Sequence, residues 1–447
     1  MTEKVKVRFA PSPTGYVHVG NMRTALTNWL FAKAAGGEFL LRIDDTDTER
    51  SKDEYEEALK EDLQWLGLEW DSFAKQSDRF DEYDKAKEKL IADGRLYACY
   101  ETPEELEIKR KMLVSRGKPP IYDRSALSLT DEQKAAYEAE GRQPHWRFKL
   151  EDAPIEWEDL VRGSVRFEGK NLSDPVLIRK DGVPLFTLST SVDDGQMGIT
   201  HILRGEDHVS NTAIQVQIME ALGYNVPVFG HTALLQMKDG KISKRVGGGD
   251  IRSMREGGIF PMVINSYLAK IGTSDAIDLF TDMQALIDGF DIKKFGRSMA
   301  HFEHEELERL NTKLVHQLPF EEVKAMLAKE GLNDVDESFW EQVKANLGSV
   351  GELKDWWEML HQPIQPVIED ADFTQAAAQL LPDGEWSEES WGEFVEKVKG
   401  ETGRKGKQLF MPLRLALTGR TDGPELPKIF ALLGRERAQK RLQGEAA

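Results

Sequence analysis

Apolar and polar residues alternate along Val5-Lys6-Val7-Arg8-Phe9, the pattern of a half-buried strand. The stretch Pro11-Ser12-Pro13-Thr14-Gly15 ends it, because neither proline can donate a ladder hydrogen bond. Residues 22–35 carry helical spacing, closed by Gly36-Gly37, and 39–43 form a second apolar strand before the acidic loop Asp44-Asp45-Thr46-Asp47. Ser51 and Glu54 have the spacing of a capping box, and Tyr55, Leu59, Leu63 and Leu66 continue a helix from it. The order strand, loop, helix, strand, helix predicts an α/β domain that opens with a parallel, nucleotide-binding sheet.

From about residue 81 to 184 the pattern is mixed, with a break at Gly117-Lys118-Pro119-Pro120 and short strands expected near 146–150 and 161–167. This stretch reads as an insertion. An αβ pattern resumes with a strand near 198–203 and a helix over 211–222, followed by a Gly-rich loop over 241–250. Beyond Phe260 the periodic stretches are helical, broken at Leu318-Pro319 and around Pro363 and Pro366. No internal repeat or low-complexity tract is evident.

Composition narrows the class. A hydrophobic share of 40% over 447 residues suits several buried cores, about three domains' worth. The lone Cys99 excludes an internal disulfide and a multi-cysteine zinc site, and fits a cytoplasmic protein. Glu3, Lys4 and Lys6 interrupt the N-terminal stretch, and no run approaches the ~20 apolar residues of a membrane span, so neither export nor membrane association is expected. The net charge of -19 argues against a nucleic-acid partner when taken as an average. Residues 401–447 depart from it, with ten Lys or Arg against five Asp or Glu.

Two short elements carry candidate chemistry. In Pro11-Ser12-Pro13-Thr14-Gly15-Tyr16-Val17-His18-Val19-Gly20-Asn21, a loop delivers its backbone to a helix start, where unpaired N–H groups and the dipole favour anions. His18 is placed there to donate to a phosphate, and Gly20 permits close approach. In Lys241-Ile242-Ser243-Lys244-Arg245, two lysines flank a serine beside Gly247, Gly248 and Gly249, a loop able to close over a triphosphate. Taken singly each signal is weak, and neither a dinucleotide glycine motif nor a Walker lysine is present.

In combination and order, the two elements resemble the HIGH and KMSKS motifs of class I aminoacyl-tRNA synthetases. Arg8-Phe9-Ala10-Pro11-Ser12-Pro13-Thr14-Gly15, Arg42-Ile43-Asp44-Asp45-Thr46-Asp47, Val192-Asp193-Asp194 and Arg204-Gly205-Glu206-Asp207-His208 resemble the glutamyl branch. The stretch Leu409-Phe410-Met411-Pro412-Leu413-Arg414-Leu415-Ala416-Leu417-Thr418-Gly419 is similar to the last part of bacterial members.

The resemblance implies a Rossmann-type catalytic domain (1–80 and 186–235) with an inserted acceptor-stem-binding domain (81–185). A stem-contact domain bearing the KISKR loop (236–320) and a helical anticodon-binding domain (321–447) would follow. It implies glutamate activation by ATP, with Mg²⁺, and transfer to the 2′-hydroxyl of the terminal tRNA adenosine by a monomer. His18, Lys241 and Lys244 would be catalytic. Pro11, Thr14, Gly15, Gly20, Asn21, Glu206, Leu235, Ser243 and Arg245 would join them around ATP. Arg8, Ala10, Ser12, Asp44, Phe186, Arg204 and His208 would form the glutamate pocket, and Asp45, Asp47, Asp194 and Arg414 would meet tRNA. No zinc is expected, because Cys99 stands alone where some members carry several cysteines.

Two positions depart from the branch. Asp44 stands where glutamate is usual, and Phe186 where a tyrosine would offer a hydroxyl. Residues 346–349 contain no arginine, whereas some members use one there to read the third anticodon base. Acceptance of tRNA(Gln) beside tRNA(Glu) therefore stays open. So do a glutaminyl enzyme and a paralogue specialised for part of the tRNA pool.

Overall fold

The structure is a computed structural model and describes residues 4–237, 249–421, 423 and 425–447. The chain divides into two compact units, 1–307 and 308–447.

The first unit opens with β1 (Lys6–Phe9), α1 (Val19–Ala34), β2 (Glu38–Ile43), α2 (Asp53–Trp65) and β3 (Ser72–Lys75). All three strands are parallel, β2 in the middle, with Arg8 opposite Leu40. Five of the six β2 residues are buried, as expected for a parallel strand covered on both faces. That covering also overturns the half-buried reading of β1: its polar position Arg8 is 5% exposed.

Helix α1 begins three residues earlier than its periodicity predicts, because His18 caps it, its Nδ1 accepting from Gly20 N at 3.1 Å. The end of α1 turns through Gly36 at φ +61°. A Cβ at Gly37 would lie 2.5 Å from the Val5 carbonyl oxygen, so only glycine lets the chain pass β1 here. The capping box at Ser51 does not form. Lys52 N is taken by Pro13 O at 3.1 Å, α2 starts at Asp53, and Lys52 occupies the cap with no side-chain bond.

Next come α3 (Phe80–Ala92), β4 (Leu96–Cys99), α4 (Pro103–Ser115), α5 (Asp131–Ala139), β5 (His145–Phe148), β6 (Pro154–Asp159), β7 (Gly163–Glu168) and β8 (Val176–Ile178). β4, β5 and β8 form an antiparallel sheet, and β6 and β7 a separate hairpin. The chain then returns through α6 (Phe186–Gln196), β9 (His201–Gly205), α7 (Val209–Leu222) and β10 (Val228–Thr232), with β9 and β10 parallel. Thr200 joins this pair to β1: its N–H donates to Lys6 O at 2.9 Å, and its Oγ1 accepts from Lys6 N at 2.8 Å.

Phe148 and Leu177 of the inserted strands share one core with Leu188 and Val192 of α6 and Ile218 of α7. The insertion is thereby packed onto the parallel half rather than tethered to it. β11 (Leu235–Met237) pairs in parallel with β12 (Ala300–Phe302), an exception to the helical reading beyond Phe260. Between them α8 spans Ile251–Glu256.

The second unit is helical throughout its described residues. Pro319 caps the helix Phe320–Lys329, and Pro363 and Pro366 lie between the helices Leu353–His361 and Ala371–Gln379. Trp340 is fully buried and donates to Leu318 O at 3.0 Å. Buried Arg441 donates to the carbonyls of Leu417 and Met359, at 2.7 and 2.9 Å, close to the C-terminal end.

Candidate active site

A cleft of about 410 Å³ opens where β1 and β9 end beside the start of α1. Carboxyl ends of parallel strands leave such a crevice, because the following loops diverge to opposite faces. Arg8, Ala10 and Pro11 come from the end of β1, and His18, Gly20 and Asn21 from the start of α1. Asp44 follows β2, Phe186 opens α6, and Arg204 and His208 end β9 and its loop. Leu235 comes from β11. Two backbone bonds join the first motif to the residues that end and follow the Gly-rich stretch. Gly249 O accepts from Val19 N at 3.1 Å, and Ile251 N donates to Val17 O at 3.0 Å. The end of the Gly-rich loop is therefore fastened to the helix start. Lys241, Ser243, Lys244 and Arg245 lie outside the described residues.

Beneath the cleft runs a lattice of paired charges. Arg8 grips Asp194 through Nε and NH2 at 3.1 and 3.2 Å. Fully buried Arg42 bonds Asp194 at 2.7 Å and both oxygens of Asp44 at 2.7 and 3.2 Å. Burial works against the Arg42 charge, but the carboxylates of Asp44, Asp194 and Asp193 overcome it and hold the guanidinium above its ordinary value. Asp193 is taken by Arg79 at 2.7 Å, Tyr83 at 2.8 Å and Gln76 at 2.9 Å.

Arg204 is different. It is 5% exposed and lines the cleft, yet no carboxylate among the described residues pairs with it. Its NH2 donates to Thr212 Oγ1 at 2.6 Å and Gln215 Oε1 at 2.7 Å, and its Nε faces His231 Nε2 at 3.4 Å. NH1 is buried without a partner. Burial, reinforced by the nearby Arg8 charge, draws its pKa down to about 9. Such a guanidinium is costly unless an anion completes it.

The family model for the catalytic domain of class I tRNA synthetases (E and Q) matches residues 4–309. The chain belongs to this family. An anticodon binding domain model matches residues 368–445 of the synthetase. It is 53% identical over 444 residues to glutamate–tRNA ligase 1 of Maricaulis maris, covering 99% of this chain and 100% of that one. Identity with a glutamate–tRNA ligase of Azospirillum brasilense is 55% over 445 residues, again with 99% and 100% coverage. Among solved structures, a glutamate tRNA ligase from Elizabethkingia meningosepticum in complex with its amino acid superposes with a TM-score of 0.80. It shares 29% identity, with 98% of each chain covered.

As a class I synthetase, the protein uses ATP. No helix among the described residues is long and apolar enough to cross a membrane.

Several residues singled out in the sequence lie away from the cleft. Ser12, Thr14 and Gly15 are exposed on the loop before α1 and do not line it. Glu206 turns away to Arg162 at 2.7 Å. Asp194 is fully buried between Arg8 and Arg42, so contact with tRNA, the expectation from its motif, does not fit its position. Asp45 is likewise buried, accepting from Ser77 N and Oγ at 2.8 Å each. Asp47 is half-exposed beside Arg50, and Arg414 is half-buried on the helix Lys407–Thr418 of the second unit.

Arg42 and Arg23 were missed. Arg42 is a charge inside the apolar run FLLRI of β2, and that was the available signal; Arg23 sits among mixed neighbours in NMRTAL of α1 and carries no such mark. Arg23 is 4% exposed, lines the cleft and donates to Ala233 O at 2.9 Å.

Proposed function

We propose that the chain is a cytoplasmic, monomeric glutamate–tRNA ligase. The α-carboxylate of glutamate attacks the α-phosphate of ATP, giving glutamyl-adenylate and pyrophosphate, and the 2′-hydroxyl of the terminal tRNA adenosine then attacks the glutamyl carbonyl and releases AMP. Buried Arg204, in the cleft and without a carboxylate partner among the described residues, carries the reading. The side-chain carboxylate of glutamate supplies the missing anion, and an amide cannot supply that charge. The full-length relatives named as glutamate–tRNA ligases support the same substrate.

Arg8, Ala10, Asp44, Phe186 and His208, which line the cleft with Arg204, would complete the amino-acid pocket. His18 and Asn21, with Lys241 and Lys244 from the loop fastened at Gly249, would stabilise charge on the triphosphate. Pro11, Gly20 and Leu235, which line the cleft, would shape the rest of the ATP site with Ser243 and Arg245. No group of three or more metal ligands occurs among the described residues, so Mg²⁺ would be held chiefly by the phosphates. Asp47 and Arg414 are the remaining residues proposed to meet tRNA.

A second reading concerns tRNA choice. Residues 346–349 carry no arginine, and their polar groups are engaged internally: Lys428 reaches Asn346 at 2.6 Å, and Gly348 N reaches Glu352 at 2.9 Å. We propose that the enzyme accepts tRNA(Gln) as well as tRNA(Glu). Charging purified tRNA(Glu) and tRNA(Gln) with labelled glutamate, and separately glutamine, tests both readings, with Lys244→Ala as control. Glutamate on both tRNAs, lost in the variant, is expected. A large excess on tRNA(Glu) overturns the second reading alone, and glutamine as the transferred amino acid overturns the first.

A further inference from the structure

The hairpin β6–β7 belongs to the insertion, yet its turn reaches the back of the cleft. Leu160 N donates to Phe229 O at 2.9 Å, and Asp159 at the end of β6 accepts from His231 N at 3.0 Å. The Asp159 carboxylate also meets His231 Nδ1 at 2.5 Å. On the far side of the ring, His231 Nε2 lies 2.9 Å from Thr212 Oγ1 and 3.4 Å from Arg204 Nε. Asp159 is 5% exposed and His231 fully buried, with the rings of Trp157 and Phe229 6.4 and 6.1 Å from the imidazole. Neither residue lines the cleft. Arg204 does.

The geometry points to Asp159 and His231 as positioning residues that aim Arg204 at the substrate carboxylate, an inference that rests on the function proposed above. Proton direction supplies the reason. A carboxylate can only accept, so the proton between it and Nδ1 belongs to the imidazole, and Nε2 is left as an acceptor. Nε2 then accepts a hydrogen bond from the Thr212 hydroxyl at 2.9 Å, closer than that hydroxyl's other acceptor, His208 O, at 3.3 Å. That turns the Thr212 oxygen lone pairs toward Arg204 NH2, 2.6 Å away.

The opposite tautomer would put an N–H against the guanidinium and compete with it for the Thr212 oxygen. The dyad therefore orients Arg204 through neutral acceptors and leaves its charge for the ligand. The charged groups facing the imidazole agree. Burial and the Arg204 charge hold His231 below its ordinary value against the pull of Asp159. Burial disfavours the Asp159 anion, but His231 and the backbone N–H groups of Arg162 and His231 hold its pKa at about 2.

The test is steady-state charging of tRNA(Glu) by the full-length enzyme, with glutamate and ATP varied separately. His231→Asn keeps an N–H toward Asp159 but has no atom at the Nε2 position, whereas His231→Gln restores an acceptor there. The Asn variant should raise KM for glutamate about tenfold with KM for ATP within about twofold, and Gln should recover only part of the loss, since it restores the acceptor but not the N–H toward Asp159. Thr212→Val, nearly isosteric, guards against a His231 variant that does not fold. It should show the same selective rise, and Thr212→Ser should reverse it.

An unchanged glutamate KM in His231→Asn or Thr212→Val overturns the inference, as do equal shifts in the two KM values. A wild-type enzyme that does not charge glutamate overturns the function itself, which separates the two failures.

Discussion

Arg42 holds both carboxylate oxygens of Asp44, at 2.7 and 3.2 Å, inside the wall of the cleft. In the sequence, Asp44 stands among the residues that the family resemblance places in the glutamate pocket. In the structure it lines the cleft, but its first partner is a fully buried guanidinium. Removing it leaves that guanidinium with less of its compensating charge. Asp44→Ala should therefore lower stability by about 3–5 kcal/mol, seen as a lower urea midpoint. A midpoint equal to wild type, with only KM for glutamate raised, would assign Asp44 to the ligand alone.

Arg204 should behave in the opposite way. No carboxylate among the described residues pairs with it, so Arg204→Gln relieves a buried charge and is not expected to unfold the protein. It should cost about 100-fold or more in kcat/KM for glutamate, the loss of a charge-assisted pair worth roughly 3 kcal/mol, with KM for ATP little changed. Charging kinetics at varied glutamate give the comparison.

Phe186 opens α6 at the cleft, its ring 5.5 Å from that of His208 and 38% exposed. Phe186→Tyr extends a hydroxyl from a side chain that already lines the site. One added hydrogen bond to a carboxylate should lower KM for glutamate by up to about tenfold. No change would mean that the ring is aimed away from the substrate.

Asp62, on α2, is 1% exposed; its carboxylate oxygens have no hydrogen-bond partner, and Arg255 NH1 lies 3.5 Å away. Burial raises its pKa to about 6. A carboxyl raised above its unfolded value favours the protonated fold, so its contribution is present below about pH 4 and lost as the pH rises through about 6. Asp62→Asn should therefore stabilise the protein by about 1–3 kcal/mol at pH 8 and leave it unchanged at pH 4. Urea midpoints at the two pH values decide it; equal midpoints at pH 8 would show that the charge is compensated.

Local pattern carried much of the architecture. The prolines at 11 and 13, the apolar run of β2 and the glycines after α1 each act within a few residues, so strand, loop and helix were legible in order. The capping box did not form because its groups found other partners: Ser51 N donates to Asp47 O at 3.0 Å, and Glu54 Oε1 accepts from Tyr16 OH at 2.8 Å. The start of α1 was missed because its cap is a histidine, a residue periodicity does not flag.

The candidate site divides along the same line. Ordered motifs identified the family and brought Arg8, His18, Asp44 and Arg204 forward; Arg8 and Arg204 lie near the ends of β1 and β9, Asp44 follows β2 and His18 caps α1. Which arginine lacks a carboxylate could not be read, since Asp194 lies 186 positions beyond Arg8 and 152 beyond Arg42. Nor could Asp159 be linked to His231, 72 positions apart in the chain and 2.5 Å apart in space. Residue types and their order set the chemistry this chain has available. Charge pairing depends on distance and burial, and only the folded packing of the sheet, the insertion and α6 decided those.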